Sequence, residues 1–380
     1  MSEHAAELKK RERDPLFDNM KAILIFLVVL GHCVSSFNDI GGPLYSWLYS
    51  VIFSFHMPAF LFVSGYFASP DPKRTIKRLL PLYLVFQTAH IFLKYLEEWS
   101  ADPETARIEF QIFDPQWTLW YLMVLMIFAL VLPVFAVDKP GKQIRNLVIA
   151  FACGLLIGMN DEMHNFMDIS RAISFLPFFL MGYYTKCNQH LISWITAPRQ
   201  NPDRNFLMVI TKLTAVVSAA ILLICFSLPG CPYRGEMFYG TMSYRADGFT
   251  VGIKIQTYLI SSAWILILLF LVPNRRLPLL GKIGRNTLGV YLFHTIAIRL
   301  LRVNPAVDTV INSSFALMLA VAAGLTLLLS RDCFSNLLRK IQNIHVSGVP
   351  RKAKAAAEAA AEAAAEPEGQ TAVGKTHAAD

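Results

Sequence analysis

Apolar residues in this chain fall into blocks separated by short polar stretches. The blocks lie at 21–38, 44–67, 79–96, 117–137, 145–159, 171–186, 208–228, 255–272, 287–303 and 313–330. A helix needs about 17–25 mostly apolar residues to cross the hydrocarbon core of a bilayer, so the pattern predicts about ten spans. Within lipid every backbone polar group must be satisfied inside the segment, which makes these spans helices. The predicted fold class is therefore all-α, a polytopic membrane protein.

The polar stretches differ in charge. Lys9, Lys10, Arg11 and Arg13 precede the first block; Lys73, Arg74, Lys77 and Arg78 follow the second. Lys139, Lys142 and Arg145 follow the fourth, Arg199, Arg204 and Lys212 the sixth, and Arg275, Arg276, Lys282 and Arg285 the eighth. Arg331, Arg339 and Lys340 follow the tenth. The alternate stretches are poor in cations, 229–254 being the least clean. Cations collect on the cytoplasmic side, so both termini are expected there. Residues 97–116 and 229–254, rich in aromatic and acidic side chains, then face outward, where a polar substrate would dock.

Composition agrees: 54% of residues are hydrophobic and 16% charged, too few charges to cover a soluble protein. The net charge of +8 does not imply a nucleic-acid partner, because the cations sit between apolar blocks and face membrane lipids. The six cysteines show no metal-type spacing, and no metal is expected. Four regions follow: a basic cytoplasmic segment at 1–20, a transmembrane domain at 21–331, a cytoplasmic post-membrane segment at 332–350, and a low-complexity Ala/Glu-rich tail at 351–380.

The chemistry concentrates in a few intramembrane polar residues. Lys21 and His32 stand eleven residues apart in the first block, about three helical turns and about 16 Å along the axis, on one face. Asp18, one turn before Lys21, can pair with it. An ionisable group at the depth of His32 is costly and marks either a general base or a hydrogen bond between helices. In the second block, Pro58 frees a carbonyl and kinks the helix beside His56, while Ser64 and Gly65 offer a close helix contact. Lys73, Arg74, Lys77 and Arg78 form a basic cluster, read either as positive-inside charge or as a phosphate clamp. Arg171 opens the sixth block, as an interfacial residue or a substrate contact. Trp117 and Trp120 read as belt residues or as a platform for a sugar ring. His294 stands between packing and catalysis, and His90 reads as a structural residue without company.

Several stretches, in order, resemble acyltransferase family 3, and within it the fucose 4-O-acetylase-like branch. They are DNMKAILIFLVVLGH (18–32), FHMPAFLFVSGYF (55–67), KRTIKRLLP (73–81), WTLWYL (117–122), SRAISFLPFFLMGYY (170–184) and LGKIGRNTLGVYLFH (280–294). The resemblance implies an O-acyltransferase of the cell inner membrane that modifies polysaccharide. It would carry an acyl group, most often acetyl, from cytoplasmic acyl-coenzyme A (acetyl-CoA) to a hydroxyl of an envelope or exported carbohydrate. It also implies His32 as catalytic base, Lys21 where the family more often has Arg, and Lys73, Arg74, Lys77 and above all Arg78 on the coenzyme A phosphates. The alternative is a secondary transporter or flippase for a glycan. That reading needs coupling carboxylates, and the spans hold almost no Asp or Glu.

Overall fold

The computed structural model describes residues 14–35, 42–159, 166–196, 202–245, 247–302 and 314–343, with 307, 310 and 311. The cations before Asp14, Arg199 and the Ala/Glu-rich tail lie outside these residues. Residues 1–342 form one unit and 343–380 another, of which only Asn343 is described.

The described elements are all helical. The first half comprises α1 (Pro15–Val34), α2 (Pro43–Phe53), α3 (His56–Phe67), α4 (Pro72–Ala101), α5 (Trp120–Phe135), α6 (Pro140–Leu156) and α7 (Ile169–Asn188). The second comprises α8 (His190–Thr196), α9 (Pro202–Ser227), α10 (Val251–Leu271), α11 (Pro278–Arg285), α12 (Thr287–Arg302), α13 (Phe315–Leu329) and α14 (Asp332–Gln342).

Each of the ten apolar blocks holds a helix, though not every one is by itself long and apolar enough to cross a membrane. Among the described residues seven helices are long and apolar enough to cross a membrane, or eight if α13 and α14, bent by 55°, make one broken span. The shortfall has a physical reason. The α7 helix carries Ser170, Arg171, Ser174 and Lys186, and α12 has 16 residues that include His294, Thr295, Arg299 and Arg302. Both bury much of their surface against other helices, so they need not be apolar all round. In contrast, α9 has only 11% of its apolar window buried and is greasy on nearly every side.

The break between α2 and α3 follows from Pro58. Proline has no N–H to donate to the carbonyl four residues earlier, here Ser54. That carbonyl accepts instead from Ser261 Oγ of α10, at 2.6 Å. The chain bends at Ser54–Phe55, and α3 begins at His56. Farther along, α3 and α7 meet backbone to backbone. A Cβ at Gly65 would collide with the Phe179 carbonyl, and one at Gly182 with the Phe62 carbonyl. Only glycine allows this approach.

At the end where α1 starts, buried asparagines act as staples. Asn19 Nδ2 donates to Pro273 O at 2.8 Å and Arg275 O at 2.9 Å. Asn286 Nδ2 donates to Ser330 O at 2.8 Å, and Asn286 Oδ1 accepts from Ser335 Oγ at 2.7 Å. Both come from the stretches quoted above, and they fix the connections around α11, α12 and α13. Here α11 lies so close to α1 that a Cβ at Gly284 would strike the Asp18 carbonyl.

Candidate active site

Two of the cavities among the described residues gather most of the candidate site side chains. The larger, about 640 Å³, opens at the basic end, where α1 and α4 start and α7 finishes. Its mouth carries Arg74, Arg78 and Lys186, and its apolar lining includes Leu79, Leu125, Ala129, Leu132 and Phe179. The basic cluster is thereby divided. All four are exposed, but Arg74 and Arg78, one turn apart on α4, line the cavity, whereas Lys73 and Lys77 are absent from the lining. Lys186, which the motif reading passed over, donates to Ala68 O at 2.6 Å. Deeper in, Ser64 Oγ bonds the carbonyl of Phe60 at 2.9 Å and the Tyr121 hydroxyl at 2.6 Å.

Lys21 stands apart from this lining. Its ammonium pairs with Asp18 Oδ1 at 2.7 Å and lies 5.4 Å from the Phe67 ring centre. Phe67 itself lines the larger cavity, so the pair backs that wall.

The smaller cavity, about 140 Å³, lies toward the opposite end. His32, His56, Trp117, Trp120 and Arg171 all line it, although they come from four separate blocks of the sequence. His32 stands edge-on to Trp117 at 5.4 Å and 5.3 Å from the His294 ring, centre to centre. Its backbone carbonyl accepts from Arg302 Nη2 at 2.8 Å, which closes the C-terminal turn of α1 with a cation.

Hydrogen bonds set the tautomers of the two neighbouring imidazoles. His56 Nδ1 is 2.8 Å from Ile52 O, and His294 Nδ1 is 2.7 Å from Tyr291 O. A carbonyl only accepts, so each Nδ1 carries hydrogen, and in the neutral ring Nε2 keeps its lone pair. His294 Nε2 is buried without a hydrogen-bond partner. His90 is not the isolated residue expected: its Nε2 meets Thr295 Oγ1 at 3.1 Å, beside His294 in sequence.

The cation of this cavity is anchored. Arg171 Nη1 donates to Asp168 Oδ1 at 2.5 Å, and its guanidinium lies 5.1 Å from the Trp120 ring centre. Burial raises the Asp168 carboxyl to about 6 against the opposing pull of Arg171. The sequence reading passed over Asp168, although it stands three residues before Arg171, the same spacing that pairs Asp18 with Lys21.

Gln87 escaped because its partners lie 24 to 29 residues farther along the chain. This buried amide on α4 donates to Gln111 O and Asp114 O, both at 2.7 Å, and accepts from Gln116 N at 2.9 Å. It thereby sets the path of the loop that delivers Trp117. Trp117, Met167 and Asp168 all hold positive φ, at 47°, 53° and 52°, a conformation that costs non-glycine residues on the order of 1–3 kcal/mol each. Phe238 and Tyr239 reach the cavity from the 229–254 stretch, and the Tyr239 hydroxyl bonds that of Tyr49.

The two cavities share three lining residues, Val28, Met57 and Tyr291. Beyond the smaller one, Trp117 also lines an open pocket with Glu97, Arg299 and Arg302. The Arg299 guanidinium lies 5.3 Å from the Trp117 ring centre and 3.4 Å from Glu97 Oε2.

Comparison with known proteins gives one domain-length match: residues 15–331 fit the family described as an acyltransferase domain, Acyl_transf_3. A curated relative, "Nodulation protein NolL" of Sinorhizobium fredii (strain NBRC 101917 / NGR234), is 43% identical over 65 residues. That segment is 17% of this chain and 18% of the relative. No solved structure matches.

Proposed function

The chain belongs to acyltransferase family 3, and from that premise we propose that it moves a short acyl group, acetyl first among them, from cytoplasmic acyl-coenzyme A to a hydroxyl of an envelope carbohydrate. Membership in an acyltransferase family sets aside the transporter alternative. The placement in the fucose 4-O-acetylase-like branch and in the inner membrane belongs to the same reading.

One observation carries the proposal: a large cavity with an arginine mouth and a small one lined by histidines meet inside the bundle at Val28, Met57 and Tyr291. Two substrates that enter from opposite faces of a membrane need this arrangement. With the basic end in the cytoplasm, Arg74, Arg78 and Lys186 would take the phosphates of coenzyme A, for which guanidinium forks suit best. The pantetheine arm would follow the apolar wall past Ser64 and Tyr121 to the shared residues.

The carbohydrate would enter from the other side, between Trp117 and the Arg299–Arg302 pocket, with its ring against an indole face. His32, one of two imidazoles on the cavity wall, removes the proton of the acceptor hydroxyl as its oxygen attacks the thioester carbonyl. The C–O bond forms, the C–S bond breaks, and the coenzyme A thiolate leaves and takes up a proton. Arg171, steadied by Asp168, lies where it would hold the acceptor or the developing oxyanion. His294 is a positioning residue in this scheme. With its Nδ1 hydrogen committed to backbone, its free Nε2 can accept from one nitrogen of His32, so that the other faces the acceptor.

The test is acyl transfer by purified protein in detergent, with labelled acetyl-coenzyme A and envelope glycans as acceptor. His32→Ala is expected to slow transfer by about 10²–10⁴-fold while the protein still binds coenzyme A. Turnover near the wild-type rate in a folded sample would sink the mechanism.

A further inference from the structure

We propose that Met57 sets the length of acyl group the enzyme transfers, an inference that rests on the acyl-transfer reading above. The reacting carbonyl must stand between a thioester held in the larger cavity and an acceptor beside His32. The acyl chain therefore lies where the cavities meet, and only Val28, Met57 and Tyr291 line both.

Two of the three are fixed. The Tyr291 hydroxyl bonds the Thr118 carbonyl, and its ring packs 5.3 Å from that of Tyr121. Val28 is buried on α1, where a β-branched side chain is held to one dominant rotamer. Met57 is unbranched, with three rotatable bonds and a polarisable sulfur that fills irregular gaps. It sits in the first turn of α3, next to His56, whose ring is tied to Ile52 O at 2.8 Å. Its backbone is thus anchored while its side chain is the adjustable part of the constriction.

The space beyond is small. The His32 cavity measures about 140 Å³ and must also admit the acceptor's reacting hydroxyl. An added methylene in such a site changes discrimination by about 10–200-fold. A side chain shorter than Met57 enlarges the site on the side where the acyl chain would extend.

The experiment measures kcat/KM with acetyl- and butanoyl-coenzyme A as competing donors. The wild type is expected to favour acetyl. Met57→Ala should shift the butanoyl-to-acetyl ratio by about tenfold or more toward butanoyl, and Met57→Leu, of similar volume, should leave it near the wild-type value. Val28→Ala opens the same constriction from α1 and should shift the ratio in the same direction, which keeps the proposal testable if Met57→Ala does not fold. An equal loss with both donors in a variant that binds coenzyme A normally would overturn the assignment, because it would make Met57 a packing residue only. If the folded wild type transfers no acyl group from either thioester, the function itself fails, and that result is separate from any change in ratio.

Discussion

The two cavities are built on different principles. The larger one is a wide apolar channel with cations at its mouth, and Arg74 and Arg78 are exposed there. Such a site recognises charge, with Lys186 and Ser64 in its wall held by hydrogen bonds to Ala68 and Tyr121. The smaller one is lined by residues fastened to something else: His56 to Ile52 O, Arg171 to Asp168, Tyr239 to Tyr49 and Tyr291 to Thr118. Its wall includes a strained Trp117, and strained Met167 and Asp168 stand just outside it. In the proposed reaction the larger cavity would need affinity for a donor and the smaller one position for a proton. Of the four described non-glycine residues with positive φ, three stand at or beside the smaller cavity and the fourth, Gln189, ends α7 at the basic end.

This contrast can be broken most sharply at His32. His32→Ala should lower kcat by about 10²–10⁴-fold, the usual span of a general base, with donor KM nearly unchanged. His294→Gln should lower kcat by a smaller factor and move the pH profile of kcat. If His32→Ala instead raises donor KM and spares kcat, the assignment of chemistry to the small cavity is wrong.

The larger cavity should answer with the opposite kinetic signature. Arg74→Gln or Arg78→Gln removes a charge-assisted hydrogen bond worth about 1.5–3 kcal/mol, so each should raise donor KM roughly tenfold to a hundredfold while kcat holds. Lys73→Gln and Lys77→Gln, whose side chains do not line the cavity, should change KM by no more than about twofold, as surface charges do. Equal effects from all four would favour a diffuse membrane-surface field over a site.

Both cavities depend on the α3–α7 contact, since Phe60 and Phe179 line the larger and His56 and Arg171 the smaller. Gly182→Ala puts a methyl group against the Phe62 carbonyl, and overpacking of this kind costs about 1–3 kcal/mol. A lower melting midpoint in detergent, with both donor binding and turnover impaired, is the expected result. An unchanged midpoint would show that the helices can separate.

The smallest effect concerns pH. With its carboxyl raised to about 6 by burial, Asp168 is ionised and paired with Arg171 above that pH. As the pH falls through about 6 it takes up a proton, the ion pair is lost, and transfer should fall severalfold. Asp168→Asn should lower activity at pH 7.5 and remove that part of the acid limb, which a profile measured from pH 5 to 8 reads directly. An unaltered limb would assign it entirely to other groups.

Much of this arrangement is legible in the chain. The ten apolar blocks mark where helices form, because hydrocarbon burial demands long uniform stretches whatever their partners. Pro58 foretells a break, since no partner can restore its missing N–H. Lys21 and Asp18 pair as their spacing allows, at 2.7 Å. The blocks at 171–186 and 287–303, read as spans, hold α7 and α12, which are polar or short for a span and bury much of their surface against neighbouring helices.

What the sequence determined by itself is therefore local: helical segments, the break before α3, the glycines that permit close contact, and the intramembrane residues costly enough to need a reason. Tertiary structure alone decided which of those residues meet. It separated Arg74 and Arg78 from Lys73 and Lys77, drew His32, His56 and Arg171 around one cavity, and added Asp168, Gln87 and Lys186. It also set His294 beside His32 and placed Met57 in the walls of both cavities. Periodicity and composition record the solvent each residue must face, which is a property of one segment. Cavities are made where several segments fail to fill space together, and no single segment encodes that.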